Sequence, residues 1–357
     1  MRRLVGLWLG LWGLMLICIY GVGAALPTDV LIFDGRVGRA NGEIYVTDTR
    51  GRFLPLTRTQ AMESSPTWSP DGTRLAFVTR GTTTGLYLLD WANLATAPVA
   101  NSSADYHDPV WSPDGKQLAY RFAPERGAQS EIFTYDVETG ELRNLTESGE
   151  RLAYSGVQPI WSPRGDMLLY INSLTRRVVV ARLPYGEIVL QTPADINAPT
   201  WSPDGTRIAY LRPQSNFNPN VVNTIAIQSV DEPEQVQTIT PSVTEETRVL
   251  SWSPDGRYLA FAGRVPGRTG FNNRNGFFLP YEQIFLADLE TGDITPLAEI
   301  TGFVWGQSMS WSPDAARLAF TMEQADAPRL CFARVATGAY ECYAEVIGSE
   351  TDWQPSS

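Results

Sequence analysis

Trp68-Ser69-Pro70-Asp71-Gly72 returns intact at Trp111, Trp201 and Trp252, and in altered form as Trp161-Ser162-Pro163-Arg164-Gly165 and Trp311-Ser312-Pro313-Asp314-Ala315. Successive tryptophans stand 43, 50, 40, 51 and 59 residues apart, the length of one four-stranded propeller blade. After each motif comes a short alternating run: Leu75-Ala76-Phe77, Leu118-Ala119-Tyr120, Leu168-Leu169-Tyr170, Ile208-Ala209-Tyr210, Leu259-Ala260-Phe261 and Leu318-Ala319-Phe320. A period of two is that of a β-strand, and the small central residue lets a neighbouring sheet approach closely. In the pentapeptide, proline presets φ at the first corner, aspartate accepts from nearby amides and glycine takes the left-handed corner. The unit reads as strand, tight turn, strand. Arg164 in place of the turn aspartate and Ala315 in place of the turn glycine predict two turns that are strained or differently built. A second hairpin with a glycine corner follows, as at Tyr135 to Gly140, Asp288 to Gly292 and Val335 to Gly338, which completes four strands.

The two ends of the repeat region complete each other. Before Trp68 lie three strand-like pieces without the motif, Val30 to Phe33, Gly42 to Asp48 and Phe53 to Thr57, matching the last three strands of a blade. At the far end Asp352-Trp353-Gln354-Pro355 is a degenerate motif, with Trp353 in the place of a first strand. The expected fold is therefore an all-β propeller over residues 29–357, of seven four-stranded blades, closed by pairing of the N- and C-terminal strands. A six-bladed ring with a frayed end is the alternative.

These motifs resemble the WD40-like (PD40) repeats of the TolB family of propellers, and the resemblance runs from about residue 30 to the end of the chain. It implies a closed β-propeller. The domain that precedes the propeller in TolB itself has no counterpart in the residues between the apolar segment and the first blade, which argues against a Tol-system role.

Residues 1–28 read as a signal anchor or a signal peptide. Met1, Arg2 and Arg3 precede an uncharged stretch from Leu4 to Leu26, long enough to span a bilayer as a helix. Gly21, Gly23, Ala24 and Ala25 equally offer small residues for cleavage. Either reading exports the remainder, anchored in a membrane or released to the periplasm or medium.

Composition removes several functions. The 357 residues carry 28 basic against 39 acidic side chains, net −11, which argues against a nucleic-acid partner. Lys116 is the single lysine and His107 the single histidine, so metal centres needing several imidazoles are excluded. No cofactor or metal is expected.

Binding residues concentrate on loops carried by a rigid scaffold. The motif turns barely vary, whereas the opposite rim carries long dissimilar loops: Ser102 to Pro109, Arg121 to Ser130, Glu147 to Pro159, Arg212 to Asn220, Pro241 to Arg248 and Arg264 to Pro280. The last interleaves Arg264, Arg268 and Arg274 with Phe271, Phe277 and Phe278, a mixture suited to a protein hot spot or a stacked sugar. The same phenylalanines could equally tuck the loop onto its blade. Tyr106, His107 and Asp108 fall on the same rim; the histidine is read as a base, a ligand or a hydrogen-bonded structural residue. Trp68, Trp111, Trp161, Trp201, Trp252, Trp311 and Trp353 are structural.

Cys331 and Cys342 flank the last hairpin. A two-residue turn pairing Val335 with Gly338 sets them opposite each other and permits a disulfide in an oxidising compartment; a bulged turn shifts the register and leaves two thiols. The expected function is that of a non-enzymatic, monomeric cell-envelope scaffold binding a protein or glycan through the loop-rich rim. The alternative is a hydrolase or lyase with its site in the central funnel.

Overall fold

Every regular element is a strand in the computed structural model, which describes residues 30–353 except 36–41, 49–52, 58, 82–83, 102–103, 125–129, 147–158, 173–174, 194–195, 213–223, 242–245, 265–266, 268, 273–277, 301, 325–327 and 344–350. The apolar segment of residues 1–28, with its expected helix, lies outside the described residues. The chain opens with β1 (Val30–Gly35), β2 (Glu43–Asp48) and β3 (Phe53–Pro55). Then come β4 (Met62–Trp68), β5 (Arg74–Arg80), β6 (Gly85–Asp90) and β7 (Thr96–Asn101). Next are β8 (Asp105–Trp111), β9 (Gln117–Ala123), β10 (Glu131–Asp136) and β11 (Leu142–Asn144). β12 (Ile160–Trp161), β13 (Met167–Asn172), β14 (Arg177–Arg182) and β15 (Glu187–Gln191) follow. After them come β16 (Asn197–Trp201), β17 (Arg207–Arg212), β18 (Thr224–Ser229) and β19 (Val236–Ile239). The fifth repeat has β20 (Glu246–Trp252), β21 (Tyr258–Arg264), β24 (Glu282–Asp288) and β25 (Ile294–Glu299), with the small pair β22 (Gly270–Asn272) and β23 (Phe278–Pro280) inserted. Last are β26 (Phe303–Trp311), β27 (Arg317–Glu323), β28 (Pro328–Arg334), β29 (Tyr340–Tyr343) and β30 (Thr351–Trp353).

Each of the six motif repeats forms an antiparallel four-stranded sheet in chain order, the architecture of a β-propeller. A further four-stranded sheet, β3-β2-β1-β30, is assembled from both ends of the repeat region. In it Leu31 pairs with Trp353, Ile32 with Asp352 and Phe33 with Thr351. The composite sheet lies between the first and last motif sheets, touching β4 on one side and β26 on the other. First strands contact first strands around the molecule, so they form its innermost layer.

The conserved chemistry of the motif is visible in its hydrogen bonds. In the first turn the Ser69 hydroxyl donates to Asp71 (2.6 Å), the Arg74 amide donates to the Ser69 oxygen (2.9 Å), and the Gly72 amide donates to the Ser69 carbonyl (2.8 Å). The two altered turns keep this geometry by different means. Where Arg164 replaces aspartate, Ser162 donates instead to Asp166 at 2.8 Å. Where Ala315 replaces glycine, its amide still donates to the Ser312 carbonyl (2.9 Å), but the alanine is held at φ +55°, the left-handed region that costs an L-residue roughly 1–2 kcal/mol. The third-to-fourth turn then hangs on the first: Val137 N–H donates to the Lys116 carbonyl (2.8 Å), and equivalent bonds join Trp91 to Thr73, Leu183 to Asp166, Val230 to Thr206, Leu289 to Arg257 and Val335 to Ala316. Both sets of turns therefore share one rim.

Tryptophans staple neighbouring sheets. The indole N–H of Trp111 donates to the Thr67 carbonyl, Trp161 to Val110, Trp201 to Ile160 and Trp311 to Ser251, at 3.1–3.3 Å. Each acceptor is the residue just before the previous tryptophan, so the staples form a chain along the inner layer. Trp252 departs from the pattern and donates to Gly256 of its own turn (3.1 Å). Between the sheets the small residue of each Leu-Ala-aromatic run is sealed: Ala76, Ala119, Ala209, Ala260 and Ala319 are all 0% exposed.

Cys331 and Cys342 stand directly opposite one another on β28 and β29 and are bonded, with a Cα–Cα distance of 4.1 Å. The register is the expected one, but the turn is longer. Arg334 N–H donates to the Ala339 carbonyl, and Gly338 N–H to the Arg334 carbonyl with φ +68° at Gly338. The left-handed glycine sits inside a four-residue loop and so does not displace the ladder.

Candidate functional site

The loop-rich end of the inner layer departs from regular β-structure at a repeated position. Register shifts interrupt β4, β8, β16 and β20 two to three residues before each tryptophan. Ser65, Asp108, Ala198 and Val249 there take φ between +47° and +54°. A bulge inserts an extra residue and exchanges the faces of the strand beyond it. In β8, Trp111 pairs with Leu118 whereas His107 pairs with Arg121. Leu118 and Arg121 lie on opposite faces of β9, so His107 faces away from the tryptophan side. Tyr106, paired with Phe122, falls on the tryptophan side.

This inversion decides the roles of the three predicted residues. Tyr106 is a core residue and no part of a binding surface: it is 3% exposed and packs against Tyr120 and Phe122, with ring centroids 6.1 and 5.4 Å away. His107 lies on the other face with Asp105, and both meet Arg80 from the end of β5. Arg80 Nη2 lies 2.5 Å from His107 Nδ1 and donates to the Tyr106 carbonyl at 3.2 Å, while its Nε lies 3.3 Å from Asp105. His107 Nε2 is 3.1 Å from the other Asp105 oxygen. Burial first, then the Arg80 charge, hold the imidazole below its usual pKa against the pull of Asp105. The ring is neutral at pH 7, with Nε2–H donating to Asp105 and Nδ1 accepting from Arg80. Asp108 is claimed by Arg121, whose Nε donates to it at 2.7 Å. Two arginines and two aspartates cancel, and both nitrogens of the single histidine are occupied.

A second cluster, which the sequence reading did not single out, joins the composite sheet to the first motif sheet. Glu43 at the start of β2 and Glu63 in β4 are 5% and 1% exposed. Thr57 Oγ1 donates to Glu43 (3.0 Å) while accepting the Ile44 amide (2.9 Å), and Thr59 donates to Glu63. Burial, then the neighbouring Glu63 charge, push Glu43 up to about 7, and burial also raises Glu63. Protonated Glu43 donates to the Glu63 carboxylate, so the pair shares one proton. No local motif marks these acids, because their meeting depends on blade packing.

The long insertion between β21 and β24 is not an open loop throughout. β22 and β23 pair as a small hairpin, Phe271 opposite Leu279. Phe271 stacks on Tyr281 (5.3 Å, 28°), which fixes the hairpin to its own blade, while Phe278 is 61% exposed. Gly270 permits the pairing: a Cβ there would lie 2.0 Å from the Leu279 carbonyl oxygen. Arg264 ends β21 opposite Glu282. Arg268, Arg274 and Phe277 lie outside the described residues, so the site brings together only part of the predicted group. On the opposite rim a cavity of about 420 Å³ opens between the first two motif turns, lined by Asp71, Arg74, Asp114, Lys116 and Glu138 among others. Among the described residues no three potential metal ligands cluster.

Comparison with known proteins agrees with the geometry. The family model described as the TolB beta propeller domain matches residues 37–225. An uncharacterized peptidase, YuxL of Bacillus subtilis (strain 168), is 23% identical over 225 residues, 62% of this chain but only 25% of that protein. Among solved structures, TolB from Acinetobacter baumannii superposes with a TM-score of 0.55 at 15% identity, covering 96% of this chain and 71% of its own. An oligogalacturonate lyase in complex with manganese gives 0.61 at 16%, covering 88% and 84%. A Mycobacterium tuberculosis puromycin-hydrolyzing peptidase gives 0.62 at 16%, covering 89% of this chain and 52% of the peptidase. At such identities the likeness is one of fold, and the set spans proteins of several kinds.

Proposed function

The chain belongs to the TolB beta propeller domain family, and from that premise we propose that it is an exported, non-enzymatic binding scaffold that takes a protein or glycan on its loop-rich rim. The observation that carries this reading is the state of the polar groups there. His107 has no free nitrogen with which to act as a base, and Arg80, Arg121, Asp105 and Asp108 are engaged with one another. Among the described residues the rim offers outward the hairpin with exposed Phe278, and the sequence of the same insertion carries Arg264, Arg268 and Arg274, the residue types that dominate protein hot spots. We count β3-β2-β1-β30 as a seventh blade, which closes the ring and leaves no inner strand edge open. Export rests on the residue 1–28 segment, whether anchor or cleaved signal.

The rival reading, a hydrolase or lyase, has one observation in its favour: in Glu43 and Glu63, two carboxyl groups share a proton near neutral pH, a pattern used for acid–base chemistry. Exposures of 5% and 1% withhold both from any substrate, which is why the scaffold reading is preferred. Pull-down from envelope extract tests it, with wild type against Arg268→Ala/Phe271→Ala and against Phe278→Ala. The expected result is loss of a partner in both variants; recovery of the same partners by all three proteins refutes the rim as the site.

A further inference from the structure

Each four-stranded sheet ends in an outer strand whose far side has no strand beside it. An open edge of this kind presents unpaired N–H and C=O groups to any extended chain, and proteins blunt it with proline, charge, bulges or brevity. Six of the seven outer strands here do so. β3 has three residues and ends in Pro55; β7 carries Pro98 beside a register shift; β11 has three residues with Arg143 at its centre. β15 begins with Glu187 and faces a register shift, β25 carries Pro296 and Glu299, and β29 carries Glu341 and the disulfide.

β19, four residues long like β29, carries no proline, no charge and no bulge. Its residues Val236, Gln237, Thr238 and Ile239 are uncharged, its register with β18 is unbroken, and the first three are exposed. Gln235 and Thr240 extend the uncharged run to six residues before Pro241. The Ser229 amide donates to the Gln235 carbonyl at 3.1 Å, which marks Gln235, and by alternation Gln237 and Ile239, as the residues whose backbone is bonded to β18. The N–H and C=O of Val236 and Thr238 therefore point away from the sheet.

We propose that β19 is a strand-addition site for an extended peptide segment of another protein, uncharged and β-prone along the strand and basic at the end that lies beside the start of β19. The charge requirement comes from the turn that leads into the strand: Asp231, Glu232 and Glu234 are all exposed, and among the described residues none has a cationic partner. In an antiparallel addition the visitor's C-terminal end lies against these acids, so its basic residues follow its strand. A second copy of this chain brings its own acidic turn and a net charge of −11, which disfavours it as the occupant. The surface is distinct from the loop-rich rim, and the inference does not depend on that rim being a site.

The test uses the purified full chain and a fluorescent peptide, Thr-Val-Thr-Val-Thr-Arg-Arg, titrated by anisotropy at low ionic strength. Saturable binding is expected, weakening with added salt and falling about tenfold or more when the two arginines are replaced by glutamates. Thr238→Pro removes an outward N–H that no β18 carbonyl needs, so it should abolish binding while the melting temperature stays close to wild type. A peptide N-methylated at its valines removes the donors from the other side and should also fail, whatever Thr238→Pro does to folding. The proposal is overturned if the arginine peptide does not bind, if the glutamate and N-methylated peptides bind as well as it does, or if sedimentation shows self-association that Thr238→Pro abolishes, which would make a second copy the occupant.

Discussion

Replacing Glu43 by glutamine should make the fold more stable above neutral pH and change little below pH 4.5. Glu43 has a folded pKa of about 7 against an ordinary 4.5. Below 4.5 the group is protonated in both folded and unfolded chains. As pH rises from 4.5 the unfolded chain releases its proton while the folded one holds it, so stability falls, and the loss is complete once the pH exceeds the folded value. The full difference corresponds to about 3 kcal/mol. Its source is local: burial and the neighbouring Glu63 charge outweigh the hydrogen bonds that Thr57 and Thr59 give Glu43, and the cation at the end of β5, Arg80, is committed to Asp105 and His107. Glutamine copies the protonated acid, with Oε1 accepting from Thr57 and Nε2 donating to the Glu63 carboxylate. Melting temperatures of wild type and Glu43→Gln, measured from pH 4.5 to 8.5, should diverge with rising pH, the variant ending about 5 °C or more above wild type. Parallel curves across that range refute the shared-proton description, and a variant that melts lower at pH 8 refutes the claim that burial opposes the charge.

Three further outcomes follow from the same structure. Trp161→Phe removes the indole N–H that serves the Val110 carbonyl of the neighbouring sheet and should destabilise by about 1–3 kcal/mol, more than Trp252→Phe, which removes an N–H bonded within its own turn; equal losses by denaturant titration contradict the stapling role. Ala315→Gly relieves the φ of +55°, and after the greater unfolded-state freedom of glycine is subtracted the gain should be about 0.5–1 kcal/mol; destabilisation in the same assay shows that the turn is not strained. Deleting residues 351–357 strips β1 of its three partners and should cost about 2–3 kcal/mol in lost ladder bonds alone, with proteolysis becoming faster in β1 to β3; an unchanged melt refutes closure through the termini.

The repeat is legible in sequence because its determinants are local. A serine, a proline, an aspartate and a glycine within five residues specify a turn, and the alternation after it specifies a strand, so blade boundaries can be read without any tertiary information; that the C-terminal strand joins the N-terminal one follows from counting the strands each end lacks, whereas its register, Trp353 opposite Leu31, does not. Cys331 and Cys342 are legible only in part: the hairpin is marked by its glycine corner, but the register depends on the turn built there, and the sequence leaves a paired and a shifted register open. Arg164 shows where local reading stops short: the missing carboxylate is supplied two residues later by Asp166, a substitution visible only when the acceptor is sought rather than the motif. The contacts of the candidate site lie beyond local reading altogether. Arg80 and Asp105 are brought together by the packing of successive blades, as are Glu43 and Glu63, and nothing in either neighbourhood announces the other.

The inner strands show most directly why a correct strand assignment can still give a wrong surface. With unbroken alternation, Trp111, Pro109 and His107 would share one face of β8 and Tyr106 would occupy the other. The bulge at Asp108 reverses this for every residue before it, so Tyr106 joins the core and His107 turns to meet Arg80. The same reversal separates Ser64 from Trp68, and the backbone registers of β16 and β20 repeat it, because in each case the paired residues on the second strand are three apart. Holding non-glycine residues in the left-handed region at four such places costs about 1–2 kcal/mol each. A recurring cost of that size argues for a recurring role. One end of each of these inner strands places an indole at the seam between sheets, and the other end, after the reversal, offers the opposite face to whatever residues the rim needs. The stapled half is thereby uncoupled from the variable half, which allows a charge network to be built in one blade and a neutral edge in the next without disturbing the chain of tryptophans.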